Sequence, residues 1–132
     1  MSFLLDTATS SAYLKGNPKV VKRVIQYGGP LSVSMVTVGE LHTWAFRAKA
    51  SPRRLADLAS FLNDVAIWDL DLDVARKFGE IRASLLDAGQ RAPEMDLLIA
   101  ATALVHGLTL VTHNTRDYAH VSGLALADRL VP

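Results

Sequence analysis

Three acidic residues of this sequence lie where a metal-dependent hydrolysis could take place. Asp6 follows a short apolar run, Glu40 lies in the first turns of a predicted helix, and Asp96 precedes an apolar helical segment. Magnesium and manganese prefer oxygen ligands and pair with the phosphate groups of a substrate. Clustered carboxylates repel one another, and a divalent cation relieves that repulsion. The set therefore predicts metal-assisted hydrolysis of a phosphodiester, in which water attacks and the cation stabilises the developing charge.

A second group of oxygen-bearing side chains follows a later predicted strand. Thr112, Asn114 and Asp117 come directly after residues 108–111. Because ligands bind beyond the carboxyl ends of parallel strands, we expect these side chains to lie near the three acids. The sequence contains no cysteine, and its histidines lack metal-ligand spacing, so the pattern favours a hard cation over zinc.

Each of these residues also has a purely structural interpretation. Asp6 and Asp96 suit the N-cap positions of the helices that follow them. Glu40 suits a first helical turn, where the helix dipole favours an acid, and Asn114 suits a turn. The functional interpretation is favoured because all four structural roles would otherwise have to coincide at one edge of a sheet.

Short apolar segments alternate with helical segments along the chain. Strands are predicted at residues 2–5, 31–35, 66–68, 108–111 and 124–126. Helices are predicted at residues 9–14, 19–26, 37–47, 71–88 and 97–106, with Thr37 as an N-cap, and a further helix opens at Ser51-Pro52. This alternation predicts an α/β fold in which helices cover both faces of a parallel sheet.

Bulk composition limits the classes of protein that fit. A chain of 132 residues that is 50% hydrophobic suits one domain, residues 1–132, with a buried core. A net charge of +1 creates no field over the whole molecule that would attract nucleic acid. The first apolar run ends at Asp6 without a preceding basic region, and the longest, residues 97–105, is too short to span a bilayer. We expect a soluble, cytoplasmic protein without membrane contact.

A local basic cluster offers the one electrostatic argument for nucleic acid. It consists of Arg47, Lys49, Arg53 and Arg54, between two predicted helices. Such a cluster can contact RNA phosphates with salt-sensitive affinity. A solvated junction between helices explains it equally well.

Four sequence blocks resemble the signatures of PIN-domain nucleases, and specifically of VapC-type toxins. They are L-L-D-T (residues 4–7), V-T-V-G-E-L (residues 36–41), M-D-L-L-I-A-A-T-A-L (residues 95–104) and L-V-T-H-N-T-R-D-Y (residues 110–118). The third block is the most specific. The blocks occur in order, and the resemblance extends over essentially the whole chain.

The resemblance implies a three-layer α/β/α sandwich with a mainly parallel central sheet. It implies endonucleolytic cleavage of RNA that depends on Mg²⁺, or alternatively Mn²⁺. It also implies a homodimer that is inhibited by a cognate VapB-like antitoxin. The chain would thus be the toxin of a toxin–antitoxin pair.

By position, the resemblance also assigns roles to the polar residues described above. Asp6, Glu40 and Asp96 become catalytic acids that bind the metal, and Asn114 falls where family members carry Asp or Asn. The remaining assignments are supporting ones. They concern the nearby acid Asp117 and the hydrogen-bonding residues Thr7 and Thr112.

Ala8 departs from the family pattern. Family members often read D-x-[ND] at the first strand, and an alanine cannot support the site through its side chain. The same residue removes the second acid that a phosphotransfer enzyme of the haloacid dehalogenase type needs, so that alternative is disfavoured. The remaining alternative is a catalytically weakened PIN domain that binds RNA or an antitoxin without cutting. Retention of Asp6, Glu40 and Asp96 argues against it.

Overall fold

A computed structural model describes residues 2–16, 22, 31–47, 49 and 51–128 of the chain. Within these residues, five strands form one sheet in the spatial order β3-β2-β1-β4-β5. All the paired strands run parallel. The strands are β1 (Phe3–Leu5), β2 (Leu31–Ser34), β3 (Ala66–Trp68), β4 (Thr109–Val111) and β5 (Leu126–Ala127). The predicted α/β class with a parallel sheet is confirmed.

The strand order places the reversal of the chain beside β1. From β1 the chain adds β2 and β3 on one side and later β4 and β5 on the other. Leu4 pairs with Ser32 on one side and with Leu110 on the other, so the carboxyl ends of three strands lie side by side. The backbone N–H of Asp6 extends this alignment by donating to the Val111 carbonyl at 3.1 Å. A crevice beyond these ends is where such sheets bind ligands.

Most of the described helices begin where a side chain accepts a free backbone N–H group. The helices are α1 (Thr7–Leu14), α2 (Met35–Phe46), α3 (Pro52–Asp64), α4 (Leu72–Asp87) and α5 (Glu94–His106), with a 3₁₀ helix at Thr115–Tyr118. Ser34, Ser51 and Asp71 cap α2, α3 and α4 through their side chains. Gly107 ends α5 with φ of +63°, in the left-handed conformation that glycine adopts without steric cost.

The starts of α2 and α5 differ from the sequence prediction. Thr37 was expected to be an N-cap, but α2 begins at Met35 and is capped by Ser34, whose Oγ accepts the Val36 N–H at 3.1 Å. Thr37 is therefore one turn inside the helix. The last long helix was expected from Leu97, and it begins earlier, at Glu94.

Smaller differences concern the ends of other elements. The first helix begins at Thr7, two residues before the predicted start, because Asp6 serves as its N-cap. The fifth strand lies at residues 126–127, slightly later than predicted. The helix predicted at residues 19–26 falls almost wholly outside the described residues.

The two faces of the sheet bury separate apolar cores. Leu4 and Leu110 point to the side of α4 and α5, where they join Leu97 and Ile99. Neighbouring strand residues, Leu5 among them, point to the opposite side and pack against α1, α2 and α3. Because successive strand residues face opposite sides, a short apolar strand fills both cores at once. This arrangement confirms the three-layer sandwich.

Substitution of a strand residue tests whether the sheet lies between the two apolar cores. Leu110→Ala should lower the free energy of unfolding by about 2–5 kcal/mol, because the fully buried side chain would leave a cavity. Leu72→Ala is the control: this leucine is 84% exposed, and its loss should cost less than about 0.5 kcal/mol. Urea unfolding measures both values. Equal losses in the two variants would contradict the assigned core.

Candidate active site at the carboxyl edge of the sheet

Asp6 lies at the carboxyl end of the central strand and is almost fully buried. Its Oδ1 accepts the backbone N–H of Thr9 at 2.7 Å, which makes it the N-cap of α1. The interpretation of Asp6 as an N-cap is thus confirmed. A buried acid held at the first turn of a helix is also fixed in position, because the cap restricts its rotation. Capping and participation in a site are compatible for this residue.

Glu40 accepts a hydrogen bond from Thr7, and Thr37 contacts Thr7 in turn. The Thr7 hydroxyl donates to Glu40 Oε1 at 2.5 Å, and Thr7 Oγ1 lies 3.0 Å from Thr37 Oγ1. Because Thr7 gives its single proton to Glu40, the Thr37 hydroxyl must donate to Thr7. Thr37 is fully buried. This role was not predicted from the sequence, although Thr37 and Glu40 share a helix face at a spacing of three residues.

Asp96 lies in the first turn of α5, within electrostatic range of the other acids. Its pKa is raised, mainly by burial and then by the negative charges of Glu40, Asp6 and Asp117. These charges act on Asp96 only because the fold brings residues from distant parts of the sequence near one another. Asp6, Glu40 and Asp117 are therefore near enough to Asp96 for their charges to act on it, and their joint role in one site stays a prediction.

Tyr118 acts on the same carboxyl group. Its hydroxyl partly opposes the rise of the Asp96 pKa through hydrogen bonding. Burial and the charge of Asp96 raise the pKa of Tyr118 well above its ordinary value, so its phenol stays protonated. Tyr118 ends the 3₁₀ helix and is buried. No role was predicted for this tyrosine from the sequence, although it closes the fourth of the blocks quoted above.

The residues after β4 form the neighbouring wall. Thr112 is fully buried, and its Oγ1 accepts the Asn114 N–H at 3.0 Å, so it shapes the turn. Asn114 and Asp117 are exposed. Residues 113–117 line an open cavity of about 350 Å³. Asp117 acts on Asp96 through its charge, whereas Asp6, Glu40 and Asp96 do not line this cavity.

The candidate ligands fit a hard cation that keeps several waters better than a cation surrounded by protein ligands. Among the described residues, no three histidine, aspartate or glutamate side chains form a ready-made coordination set. Magnesium commonly uses one or two carboxylates and keeps several waters. Asp6, Glu40 and Asp96 offer oxygen atoms only, and their mutual repulsion favours added positive charge. Magnesium or manganese matches that chemistry.

One residue of the predicted basic cluster makes contacts that join two helices. Arg54 donates to the Trp44 carbonyl at 3.1 Å, and its guanidinium lies 5.0 Å from the centre of the Trp44 ring. Arg53 forms an exposed ion pair with Asp57 at 3.7 Å. Arg47 and Lys49 are exposed. Arg54 thus has a structural role, and the others remain accessible to a ligand.

The cluster does not adjoin the acids directly. Arg47 follows Glu40 by seven residues, which separates them by about 10 Å along the axis of α2. A polynucleotide is long enough to reach both places. The prediction that the cluster contacts RNA therefore stays a prediction.

A scan against family models finds the PIN domain, matched over residues 3–124. The tRNA(fMet)-specific endonuclease VapC of Shigella flexneri is 33% identical over 97% of this chain and 98% of that protein. Ribonuclease VapC2 of Haemophilus influenzae is 34% identical over 94% of this chain and 95% of that protein.

Solved structures agree with the sequence relatives. DNA-bound VapBC from Salmonella typhimurium contains a chain with a TM-score of 0.90 and 29% identity, and the match covers 98% of both chains. VapBC2 from Rickettsia felis, bound to a DNA fragment from its promoter, has a TM-score of 0.88 over 97% of this chain and 98% of that chain. At 24% identity, this second likeness shows the fold alone.

The raised pKa of Asp96 has a consequence for stability. The folded state holds the Asp96 proton more tightly than the unfolded chain does, so ionisation as the pH rises costs stability. Asp96→Asn should therefore raise the free energy of unfolding at pH 7, and this gain should shrink towards pH 4. Urea unfolding at both pH values measures it. The exposed Asp57→Asn is the control, and a loss of stability at pH 7 in Asp96→Asn would contradict the electrostatic argument.

Proposed function

The chain belongs to the PIN-domain family, and on that basis we propose that it is a metal-dependent endoribonuclease, the toxin of a toxin–antitoxin pair. The observation that carries the proposal is the convergence of Asp6, Glu40 and Asp96 at the carboxyl edge of the sheet. Relatives that match almost the full length are a tRNA(fMet)-specific endonuclease and a ribonuclease by name. The proposed substrate is accordingly RNA.

The acids and their hydrogen-bond partners have different proposed roles at the site. Asp6, Glu40 and Asp96 would hold Mg²⁺ or Mn²⁺, and Asn114 would contact the phosphate. A bound divalent cation supplies positive charge that stabilises the charge developing on the phosphate during hydrolysis. Thr7 keeps Glu40 oriented, so that little reorganisation is needed when the substrate binds.

Ala8 does not argue strongly for a binding module without catalysis. Its side chain is exposed on α1 and lines a shallow surface hollow with Ser11, Ala12 and Lys15. The three principal acids do not line this hollow, and the charges of Asp6 and Glu40 act on Asp96. Catalysis is therefore favoured over the alternative of an RNA- or antitoxin-binding domain that does not cut.

The proposed partners are an antitoxin and a second copy of the chain. The similar Salmonella structure is VapBC, and VapBC-5 from Mycobacterium tuberculosis, 27% identical to this chain, is a member of the VapBC family of toxin-antitoxin systems. Several large apolar side chains of this chain are exposed, including Phe46 at 69% and Leu72 at 84%. Exposed apolar surface of this kind favours association with another protein. No helix within the described residues has the length and apolar character needed to cross a membrane.

Incubation with RNA tests the proposed activity. The purified chain should cut total bacterial RNA at discrete positions when Mn²⁺ or Mg²⁺ is present, and EDTA should abolish cutting. Asp96→Asn and Glu40→Gln should each lower the rate at least about a hundredfold, because each removes an oxygen ligand with its charge. The exposed Asp57→Asn should cut at the wild-type rate.

Two outcomes would separate the alternatives. Absence of cutting with every metal, restored by Ala8→Asn, would identify a catalytically weakened enzyme. Absence of cutting in both proteins, with RNA binding retained, would contradict the nuclease and support the binding module.

The exposed part of the basic cluster gives a separate prediction. Arg47→Ala and Lys49→Ala should weaken binding of single-stranded RNA, and each should lower the log–log dependence of affinity on salt by about 0.7 for every phosphate that is no longer neutralised. Fluorescence anisotropy across a salt series in Asp96→Asn protein measures this without cleavage. Arg76→Ala, an exposed arginine on α4, should leave the slope unchanged. An unchanged slope in both cluster variants would show that the junction is only solvated.

A further inference from the structure

A histidine and an aspartate meet where the strands β4 and β5 end. The Nδ1 atom of His113 lies 3.1 Å from Oδ1 of Asp128. Val111 of β4 pairs with Ala127 of β5, and the next backbone N–H, that of Thr112, donates to the Ala127 carbonyl at 2.9 Å. Parallel pairing of the two strands thus brings together side chains that are 15 residues apart in the sequence.

This pair adjoins the candidate site. The Asp6 N–H donates to the Val111 carbonyl at 3.1 Å, and His113 is the second residue after Val111. Two residues extend by at most about 7 Å, so the backbone of His113 lies within that distance of the strand end beside Asp6. His113 also lines the open cavity of about 350 Å³ together with Asp117, whose charge acts on Asp96. A bound RNA strand is therefore long enough to contact His113 and the acids at once.

Asp128 determines which nitrogen of the histidine ring carries a proton. An ionised carboxylate accepts hydrogen bonds and cannot donate them, so the proton between the two side chains belongs to Nδ1 of His113. In a neutral ring, the other nitrogen, Nε2, is then an acceptor. Within the described part of the chain, Nε2 has no hydrogen-bond partner. The ring therefore presents an oriented acceptor that the fold does not use.

A purely structural role explains this pair poorly. The side chains of His113 and Asp128 are 48% and 23% exposed, and ion pairs in contact with solvent contribute little to stability. Backbone hydrogen bonds already join β4 to β5. The aspartate gives the ring a fixed orientation at an accessible position, and such preorganisation suits a contact with a substrate.

We propose that His113, oriented by Asp128, contacts the RNA beside the position of cleavage, where its Nε2 accepts a hydrogen bond from a ribose hydroxyl or from a base N–H. The proposal rests on the proposed function, because it takes RNA as the ligand. RNA offers both kinds of donor, whereas its ionised phosphates only accept. His113 is thus a substrate-contacting residue, and Asp128 is a positioning residue that acts through it.

Nitrogen NMR of the histidine side chains tests the orientation of the ring. At pH 8, where imidazoles are ordinarily neutral, nitrogen–proton correlations should show His113 with its proton on Nδ1. Asp128→Ala should shift its tautomer ratio towards that of the exposed His120. Addition of single-stranded RNA, with EDTA present to prevent cutting, should move the Nε2 signal of His113 and leave that of His120 unchanged. A proton on Nε2 of His113 in the wild-type chain would overturn the proposal.

Removal of the ring tests the contact itself. In an Asp96→Asn background, in which cutting should be lost, His113→Ala should raise the dissociation constant for single-stranded RNA about fivefold, as expected for one neutral hydrogen bond. The probe is a fluorescent oligonucleotide that spans a position cut by the wild-type chain, and anisotropy measures its binding. The dependence of affinity on salt should not change, because no charge is removed. Probes in which single ribose hydroxyls are replaced by hydrogen then identify the donor: the effect of His113→Ala disappears at one position for a ribose donor and persists at every position for a base donor, and either result supports the proposal.

His120→Ala is the matched control. His120 is exposed and lines a different hollow, with Lys77 and Glu80, so its loss should leave the affinity for RNA unchanged. Asp128→Ala should weaken binding about twofold by itself and should have no such effect in a His113→Ala background, because Asp128 acts through the ring. Circular dichroism checks that each variant is folded.

The outcomes distinguish this proposal from the proposed function. If the wild-type chain cuts RNA and His113→Ala leaves the affinity unchanged, the contact is disproved and the nuclease stands. A loss of affinity with a smaller salt dependence would indicate a contact with phosphate and would also overturn the proposal. If the wild-type chain binds RNA of mixed sequence without cutting it, the nuclease fails, and the NMR signal and the affinity of His113→Ala for that RNA decide the contact. If the wild-type chain binds no RNA, both proposals are overturned.

Discussion

Carboxylates gathered at one edge of a parallel sheet repel one another, and Asp6, Glu40 and Asp96 share such an edge here. Hydrogen bonds from the surrounding structure hold two of these side chains in place. A backbone N–H holds Asp6 through its helix cap, and the Thr7 hydroxyl holds Glu40. Asp6 and Glu40 thus each have a donor, which helps to make a repulsive cluster compatible with a stable fold.

The fold creates this arrangement through strand order and through the two cores. The central strand β1 lies between β2 and β4, so side chains that follow each of them meet at one place. Helices α4 and α5 cover one face, and α1, α2 and α3 cover the other. The core on the side of α5 contains Leu97, the residue that follows Asp96. Packing of this core therefore fixes the helical turn that carries Asp96.

Much of the fold and the main acids could be predicted from the sequence. Apolar segments ending in polar residues indicated the strands, and parallel topology then placed Asp6 and Glu40 at one edge. The start of α5 was misplaced because Pro93-Glu94 lacks a side-chain cap, which was the signal used elsewhere. Local sequence patterns identify a helix start only when the cap itself is local.

The supporting hydrogen bonds could not be predicted in the same way. The bond from Thr7 to Glu40 spans 33 residues of sequence, and the contact of Thr7 with Thr37 spans 30. Periodicity carries no information on such pairs, because they depend on how α1 and α2 cross. Thr37 was therefore interpreted as a cap, and Tyr118 received no role. The basic cluster shows the converse: its sequence suggested four equivalent cations, whereas packing commits Arg54 to Trp44.

The central claim is that the converging carboxylates form a divalent cation site. A crystal structure of the wild-type chain grown with Mn²⁺, with anomalous scattering recorded to locate manganese, tests it most directly. We predict an anomalous peak within coordination distance of Asp96 and of Asp6 or Glu40, with waters completing the shell. Anomalous peaks confined to other surface acids, with these three carboxylates free of metal at saturating Mn²⁺, would contradict it.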